Sequence, residues 1–198
     1  MSAAKSGTLE RRAAVSELLK DRGPLLVVTG LGSSSYDAFA AGDHDGNFYL
    51  WGAMGGAAMM GLGLALAQPR RPVLVLTGDG EQLMGLGALA TIAARKPGNL
   101  SVVVLDNGHF GETGMQMSHS GLGVDLHRIA AAAGFPDVAE IRELREVAAY
   151  REQLRKAVGG PRFGTIRIAP GSPSRALPAR DGVFLKNRFR GHLGFAVN

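Results

Sequence analysis

"PVLVLTGDGEQLMG", residues 72–85, is the stretch that decides the fold. Val73 to Thr77 runs apolar without a polar alternation, the pattern of a strand buried on both faces. The run stops at Gly78-Asp79-Gly80, and Glu81-Gln82-Leu83-Met84 resumes with helical character. A strand that breaks at glycine and turns straight into a helix is half of a parallel β–α unit.

The same grammar recurs on either side. Residues 8–22 have helical spacing, with Leu9, Ala13, Leu18 and Leu19 apolar, and Gly23-Pro24 ends the run. "LLVVT" (25–29) reads as a buried strand opening into the loop "GLGSSS" (30–35). That loop looks like a dinucleotide fingerprint but lacks its third glycine, and no helix clearly starts there, so a polar turn is expected. Residues 53–67, "AMGGAAMMGLGLALA", form a helix of small residues that another backbone must approach closely. Residues 81–95 form another helix, and "LSVVVL" (100–105) a further strand. After a loop from 106 to 123, a helix capped by Asp125 stops at Gly134. A charged amphipathic helix over 143–157 and a last strand, "GTIRIA" (164–169), follow. The expected fold is α/β: a mostly parallel sheet with helices on both faces, in one domain over 1–198 with a basic C-terminal segment at 170–198. Ligands of such folds bind beyond the carboxyl ends of the strands, so the loops at 30, 78 and 106 should share one edge.

Composition excludes several function classes. Hydrophobic residues make up 45%, charged residues 20% and aromatic residues 6% of the chain, a globular balance. The net charge is +5, with Arg175, Arg180, Lys186, Arg188 and Arg190 opposed only by Asp181 within residues 170–198. No basic run is interleaved with aromatics, which speaks against nucleic acid. Cysteine is absent, so this chain holds no disulfide, Cys-ligated zinc or iron–sulfur cluster. Residues 54–67 are too short and glycine-rich to span a bilayer of about 30 Å, and the N-terminus lacks the apolar core of a signal peptide. A cytoplasmic protein without membrane contact is expected.

"LDNGHFGETG" (105–114) gives the Gly-Asp-Gly turn its meaning. Asp79 and Asn107 are separated by one helix and one returning strand, so a right-handed crossover places them in adjacent loops. A carboxylate, an amide oxygen and glycine-exposed backbone make an oxygen-only site for Mg2+ or Ca2+, and Mg2+ commonly completes its shell with phosphate oxygens. Backbone N–H groups after Gly80 would face the same anion.

Gly-Asp-Gly followed by an Asn closing the next strand resembles the diphosphate-binding motif of thiamine-diphosphate enzymes. The resemblance runs from about residue 47 to 116. It implies that Asp79 and Asn107 ligate Mg2+ through side chains and His109 through its carbonyl, with Gly78 and Phe110 framing the site. Amides of Gly80, Glu81, Gln82, Gly111 and Glu112 would hold the diphosphate. "FYLWGAMGGAAMMGLGLALA" (48–67) is similar to the segment that contacts the aminopyrimidine. There the Gly52 carbonyl would accept from the 4′-amino group, and Met54 would support the bent cofactor.

"FYLWGAMG", "LDNGHFGETGMQ" and "FLKNRFRGHLG" look like sulfopyruvate decarboxylase β subunits and the C-terminal half of phosphonopyruvate decarboxylases. Those enzymes usually carry a small Ser/Thr-type residue at the place of Glu112 and Gln-Pro at the place of Gln116-Met117. An added carboxylate there would repel a sulfonate or phosphonate. In that family the glutamate that activates the pyrimidine comes from a different domain. The resemblance therefore implies half an active site, completed by an α subunit, most simply as α2β2, acting on a small 2-oxoacid.

Glu112 and His119 are the candidate catalytic groups beside the cleft, with surface roles as the plain alternative. Trp51 reads as an interface or core anchor, and the C-terminal basic cluster as a solvated or subunit-facing helix. Three other functions stay open: a carboligating lyase, a 2-oxoacid oxidoreductase subunit (against which the missing cysteines count), and a non-catalytic thiamine-diphosphate-binding subunit.

Overall fold

The computed structural model describes residues 7–156 and 159–197. In chain order the elements are α1 (Arg11–Leu19), β1 (Leu26–Thr29), α2 (Ser33–Ala40), β2 (Asn47–Tyr49), α3 (Ala57–Ala67), β3 (Val73–Gly78), α4 (Asp79–Met84), α5 (Ala88–Arg95), β4 (Leu100–Asp106), β5 (His109–Phe110), β6 (Gln116–Met117), α6 (Leu126–Ala133), β7 (Asp137–Ile141), α7 (Leu144–Gln153), β8 (Arg162–Arg167) and α8 (Gly182–His192). Six strands form one parallel sheet in the order β2-β1-β3-β4-β8-β7, and β5 and β6 form a separate antiparallel hairpin.

The unbroken apolar runs follow from burial on both faces. Val73 and Val75 of β3 join one core with Val102 and Val104 of β4 and Phe163 of β8. Their neighbours Leu74, Leu76, Val103 and Leu105 join a second core on the opposite face. The first layer is covered by α3, α5 and α6 through residues such as Leu62, Ile92 and Ala130. The second is covered by α1, α2 and α7 through Leu18, Ala38 and Val147. Each such leucine or isoleucine taken fully out of water stabilises the fold by roughly 1.5–3 kcal/mol. The small residues of α3 also have their expected partner, because a Cβ on Gly61 would overlap the Val75 side chain. No helix among the described residues is long and apolar enough to cross a membrane.

Several sequence expectations are corrected. A helix does start at Ser33, where Gly32 turns the chain at φ +82° and the Ser34 and Ser35 hydroxyls donate back to the Gly30 carbonyl. The helix expected over 53–67 begins only at Ala57, because Gly52 (φ +78°) and Gly55 (φ +85°) hold the preceding residues in a loop. The helix expected over 81–95 is two, divided at Gly85-Leu86-Gly87. The first helix is confined to Arg11–Leu19 and capped by the Glu10 carboxylate, which accepts from Arg12 N and Ala13 N. The helix expected over 143–157 runs from Leu144 to Gln153 behind a Glu143/Glu146 capping box, and residue 157 lies outside the described residues. The helix before Gly134 stands as expected, although Asp125 makes no side-chain cap bond.

The basic C-terminal segment is not simply solvated. Leu185 and Phe189 of α8 are buried, and Phe189 meets Phe48 edge-on at 5.7 Å, so α8 covers the β2 edge of the sheet. Arg188 donates to Asp43 Oδ2 at 2.7 Å and to the Asn47 carbonyl at 3.1 Å. Between β8 and α8, residues 170–181 run as a strap without regular structure. Trp51 Nε1–H donates to the Ala179 carbonyl at 2.9 Å, and Arg12 donates to the Ser174 carbonyl.

Candidate functional site

Asp79 follows β3 directly, and Asn107 follows β4. Because Gly78 lies opposite Leu105 in the parallel register, both residues emerge at one edge from neighbouring strands. The loop after β1 ends at the same edge. Asp79 is buried at 2% exposure and Asn107 at 7%.

The Asp79 carboxylate is held from one side. Its Oδ2 accepts from the Ser118 hydroxyl and, at 2.9 Å, from the Ser120 hydroxyl. The serines reach it because the loop after β4 doubles back through the β5–β6 hairpin, with Ser118 N donating to the Gly108 carbonyl at 2.8 Å. Ser120 Oγ also lies 2.7 Å from Asp106 Oδ1, and Arg167 closes on Asp106 Oδ2. Burial, followed by the charge of Asp106, raises the Asp79 carboxyl above its ordinary value. No Lys or Arg pairs with Asp79 among the described residues. A buried acid without a base, with one oxygen free of hydroxyls, is suited to a hard cation.

Asn107 is fixed by its own turn. Its Oδ1 accepts from His109 N at 2.9 Å, and its carbonyl meets His109 Nδ1 at 2.7 Å. The His109 ring is thereby tied to the backbone rather than free in the cleft. Phe110 lies over the start of α4, where a Cβ on Gly80 would come within 2.7 Å of its ring.

A cleft at this edge is lined by Met54, Gly78, Asp79, Gly80, Glu81, Asn107, His109, Phe110, Gly111 and Glu112, all expected from the sequence. Gly52, Gln82 and His119 are not among its lining residues. Gln82 is buried at 2% exposure, while His119 is exposed with its ring edge-on to Phe110 at 6.2 Å. Glu112 accepts from Ser33 Oγ at 3.1 Å through Oε1, and its Oε2 lies 3.5 Å from Arg175. Arg175 in turn lies 5.8 Å over the Tyr36 ring. The carboxylate expected to repel an anion thus has a guanidinium beside it.

Sequence reasoning missed Arg11, Leu31, Ser33, Ser34, Leu105 and Thr113 in the lining, and Asp106, Ser118, Ser120 and Arg167 behind Asp79. Ser118 and Ser120 carried no local signal, since they lie where the chain turns after β6. Arg11 carried none; it is buried against Asp37 at 2.5 Å. A second group of possible metal ligands, Asp125, His127 and Glu140, lies outside the cleft lining. Arg167 already bridges its two carboxylates, at 3.0 and 2.8 Å.

A doubly covered parallel sheet with this acid–amide pair at its carboxyl edge defines a class. The chain belongs to the thiamine pyrophosphate enzyme family, whose C-terminal TPP binding domain matches residues 34–168. More particularly, it is 38% identical to the sulfopyruvate decarboxylase subunit beta of Methanothermobacter thermautotrophicus, over 91% of this chain and 94% of that one. It is 43% identical to the phosphonopyruvate decarboxylase of Streptomyces hygroscopicus over 82% of this chain, but it spans only 40% of that relative's length. Among solved structures, a thiamine diphosphate-dependent 4-hydroxybenzoylformate decarboxylase from Rhodococcus jostii superposes with a TM-score of 0.70 at 20% identity. That match covers 87% of this chain and 35% of that one, and shows the shared fold.

Proposed function

We propose that the chain is the cofactor-diphosphate-binding β subunit of a thiamine-diphosphate- and Mg2+-dependent 2-oxoacid decarboxylase. An α subunit with a pyrimidine-binding domain and its glutamate completes the site, most simply as α2β2. The observation that carries this reading is Asp79: a buried carboxylate, hydroxyl-bonded on one oxygen and without a cationic partner among the described residues, beside Asn107. Near full-length similarity to a relative named as a beta subunit supports the split assembly.

In this reading Asp79, Asn107 and the His109 carbonyl hold Mg2+. Amides of Gly80, Glu81, Gln82, Gly111 and Glu112 would hold the diphosphate, whose charge a cation on Asp79 would offset. The Gly52 carbonyl and Met54 orient the pyrimidine end. Thiamine diphosphate, when bound, supplies the carbon nucleophile and the sink for the electrons released with carbon dioxide. Glu112 and His119 hold and deliver protons at the substrate, while Phe110 and Met54 exclude water from the cleft.

The test is reconstitution. The chain alone, and with a candidate α chain, is given thiamine diphosphate and Mg2+, and loss of a panel of 2-oxoacids is followed. The pair turns over and the lone chain is nearly inactive. Full decarboxylation by the lone chain would refute the split site. The same panel, with plain, sulfonated and phosphonated acids, reports whether Glu112 or its Arg175 partner dominates at the cleft mouth.

A further inference from the structure

Three carboxylates line the cleft: Asp79, Glu81 and Glu112. The roles above use the first and the last, but only the backbone of Glu81. Its side chain is 4% exposed. Oε2 accepts from Thr77 Oγ1 at 2.9 Å, whereas Oε1 is buried without a hydrogen-bond partner among the described residues. Leaving a buried carboxylate oxygen unmet is costly, so stability alone gives no reason for an acid here.

The surroundings of the carboxylate point to its task. The N–H groups of Ala57, Gly55 and Leu31 are turned toward it, although none closes a hydrogen bond on Oε1. Gly55 and Ala57 flank the start of α3, whose N-cap, Gly56, offers no side-chain acceptor. Leu31 lies just before α2, where the N-cap Gly32 offers none either. Two helix starts therefore direct backbone N–H groups, with the positive ends of their dipoles, at one acid from a third element. Gly30 completes the seat, because a Cβ there would overlap Glu81 Oε2.

We infer that Glu81 is a positioning residue, the shared remote cap on which the loop carrying Met54 and the loop after β1 close around the cofactor. It touches no reacting atom and acts through the placement of Met54 and of the Leu31 backbone. The inference rests on the functional reading above for the role of Met54.

The experiment compares Glu81→Ala, Glu81→Gln, Gly30→Ala and Gly30→Ala/Glu81→Ala, using the chain with its α partner. Calorimetry with thiamine diphosphate and Mg2+ gives affinity, turnover at saturating cofactor gives the rate per bound cofactor, and melting gives stability. Glu81→Ala weakens affinity only about threefold but lowers the rate per bound cofactor about thirtyfold, the signature of lost placement. Glu81→Gln keeps an acceptor and stays within about fivefold of the parent rate. Gly30→Ala displaces the carboxylate and behaves as Glu81→Ala does, and the double variant is no worse than Glu81→Ala. If Glu81→Ala fails to fold, the Gln and Gly30 variants carry the comparison. An unchanged rate per bound cofactor in Glu81→Ala, a Gln variant as slow as the Ala variant, or simple additivity of the Gly30 and Glu81 effects each overturns the inference. Failure of the parent complex to bind cofactor or turn over 2-oxoacids overturns the functional reading instead. In that event the Gly30–Glu81 coupling, read by melting, still decides for or against the seat.

Discussion

In the proposed function, Asp79 trades stability for binding. Its carboxyl lies beside Asp106 and is buried at 2% exposure, a place where an uncharged isostere costs less. Asp79→Asn should therefore hold or raise the melting temperature of the cofactor-free chain. The same change should weaken Mg2+-dependent thiamine diphosphate binding by about a hundredfold or more, because the charge bridge to the diphosphate is gone. Unchanged affinity by calorimetry would sink the assignment. Asp79 and Asn107 could be found from the sequence because their spacing reflects a local unit, one helix and one returning strand. The hydroxyls of Ser118 and Ser120 could not, since their reach back to Asp79 across 39 and 41 residues depends on how the β5–β6 hairpin folds over. Glu112 was visible as a residue, but its pairing with Arg175 depends on where the strap lies.

At the scale of elements, the long apolar strands were the most legible and the short ones least. β2 has three residues and α2 opens with three serines, so neither carries enough periodicity to stand out from a turn. The break between α4 and α5 was hidden for another reason. Gly85 abuts the Gly55 carbonyl, where a Cβ would overlap, so the helix is interrupted by a loop from elsewhere in the chain. The attachment of α8 to the β2 edge makes a testable claim about pH. His192 of α8 meets His44 at 5.2 Å between ring centroids. Burial first, then Arg22 and His192, lower the His44 pKa from its ordinary 6.5, while Asp45 and Asp43 oppose the shift. Burial, then Arg71, lower that of His192. The unfolded chain thus takes up protons more readily than the fold. The attachment is complete above the ordinary imidazole value and weakens as pH falls through it. The melting temperature should fall between about pH 7.5 and pH 5.5, and His192→Gln should flatten that dependence. A variant with the parent's slope would remove the histidine pair from the explanation.

For the whole molecule, the parallel sheet and its functional edge followed from the sequence because continuous apolar strands alternating with helices admit few other arrangements. The assembly is legible only as incompleteness. Met59, Met60 and Leu66 on α3 are about two-fifths exposed, and Met84 of α4 is 65% exposed, an apolar face for the proposed α subunit to cover. The strap has a different consequence. The chain has one tryptophan, and it is the residue that fastens the strap, through its indole N–H to Ala179 and the Arg180 guanidinium 5.5 Å over its ring. All indole emission therefore originates where the strap is pinned to the body of the domain. Under mild denaturant the emission should shift to the red before far-ultraviolet circular dichroism records loss of the sheet, since a segment without regular structure opens at lower free energy than a doubly covered core. Coincident transitions would mean that strap and sheet unfold as one unit. Separated transitions would make Trp51 an intrinsic optical gauge of strap docking, readable without any label.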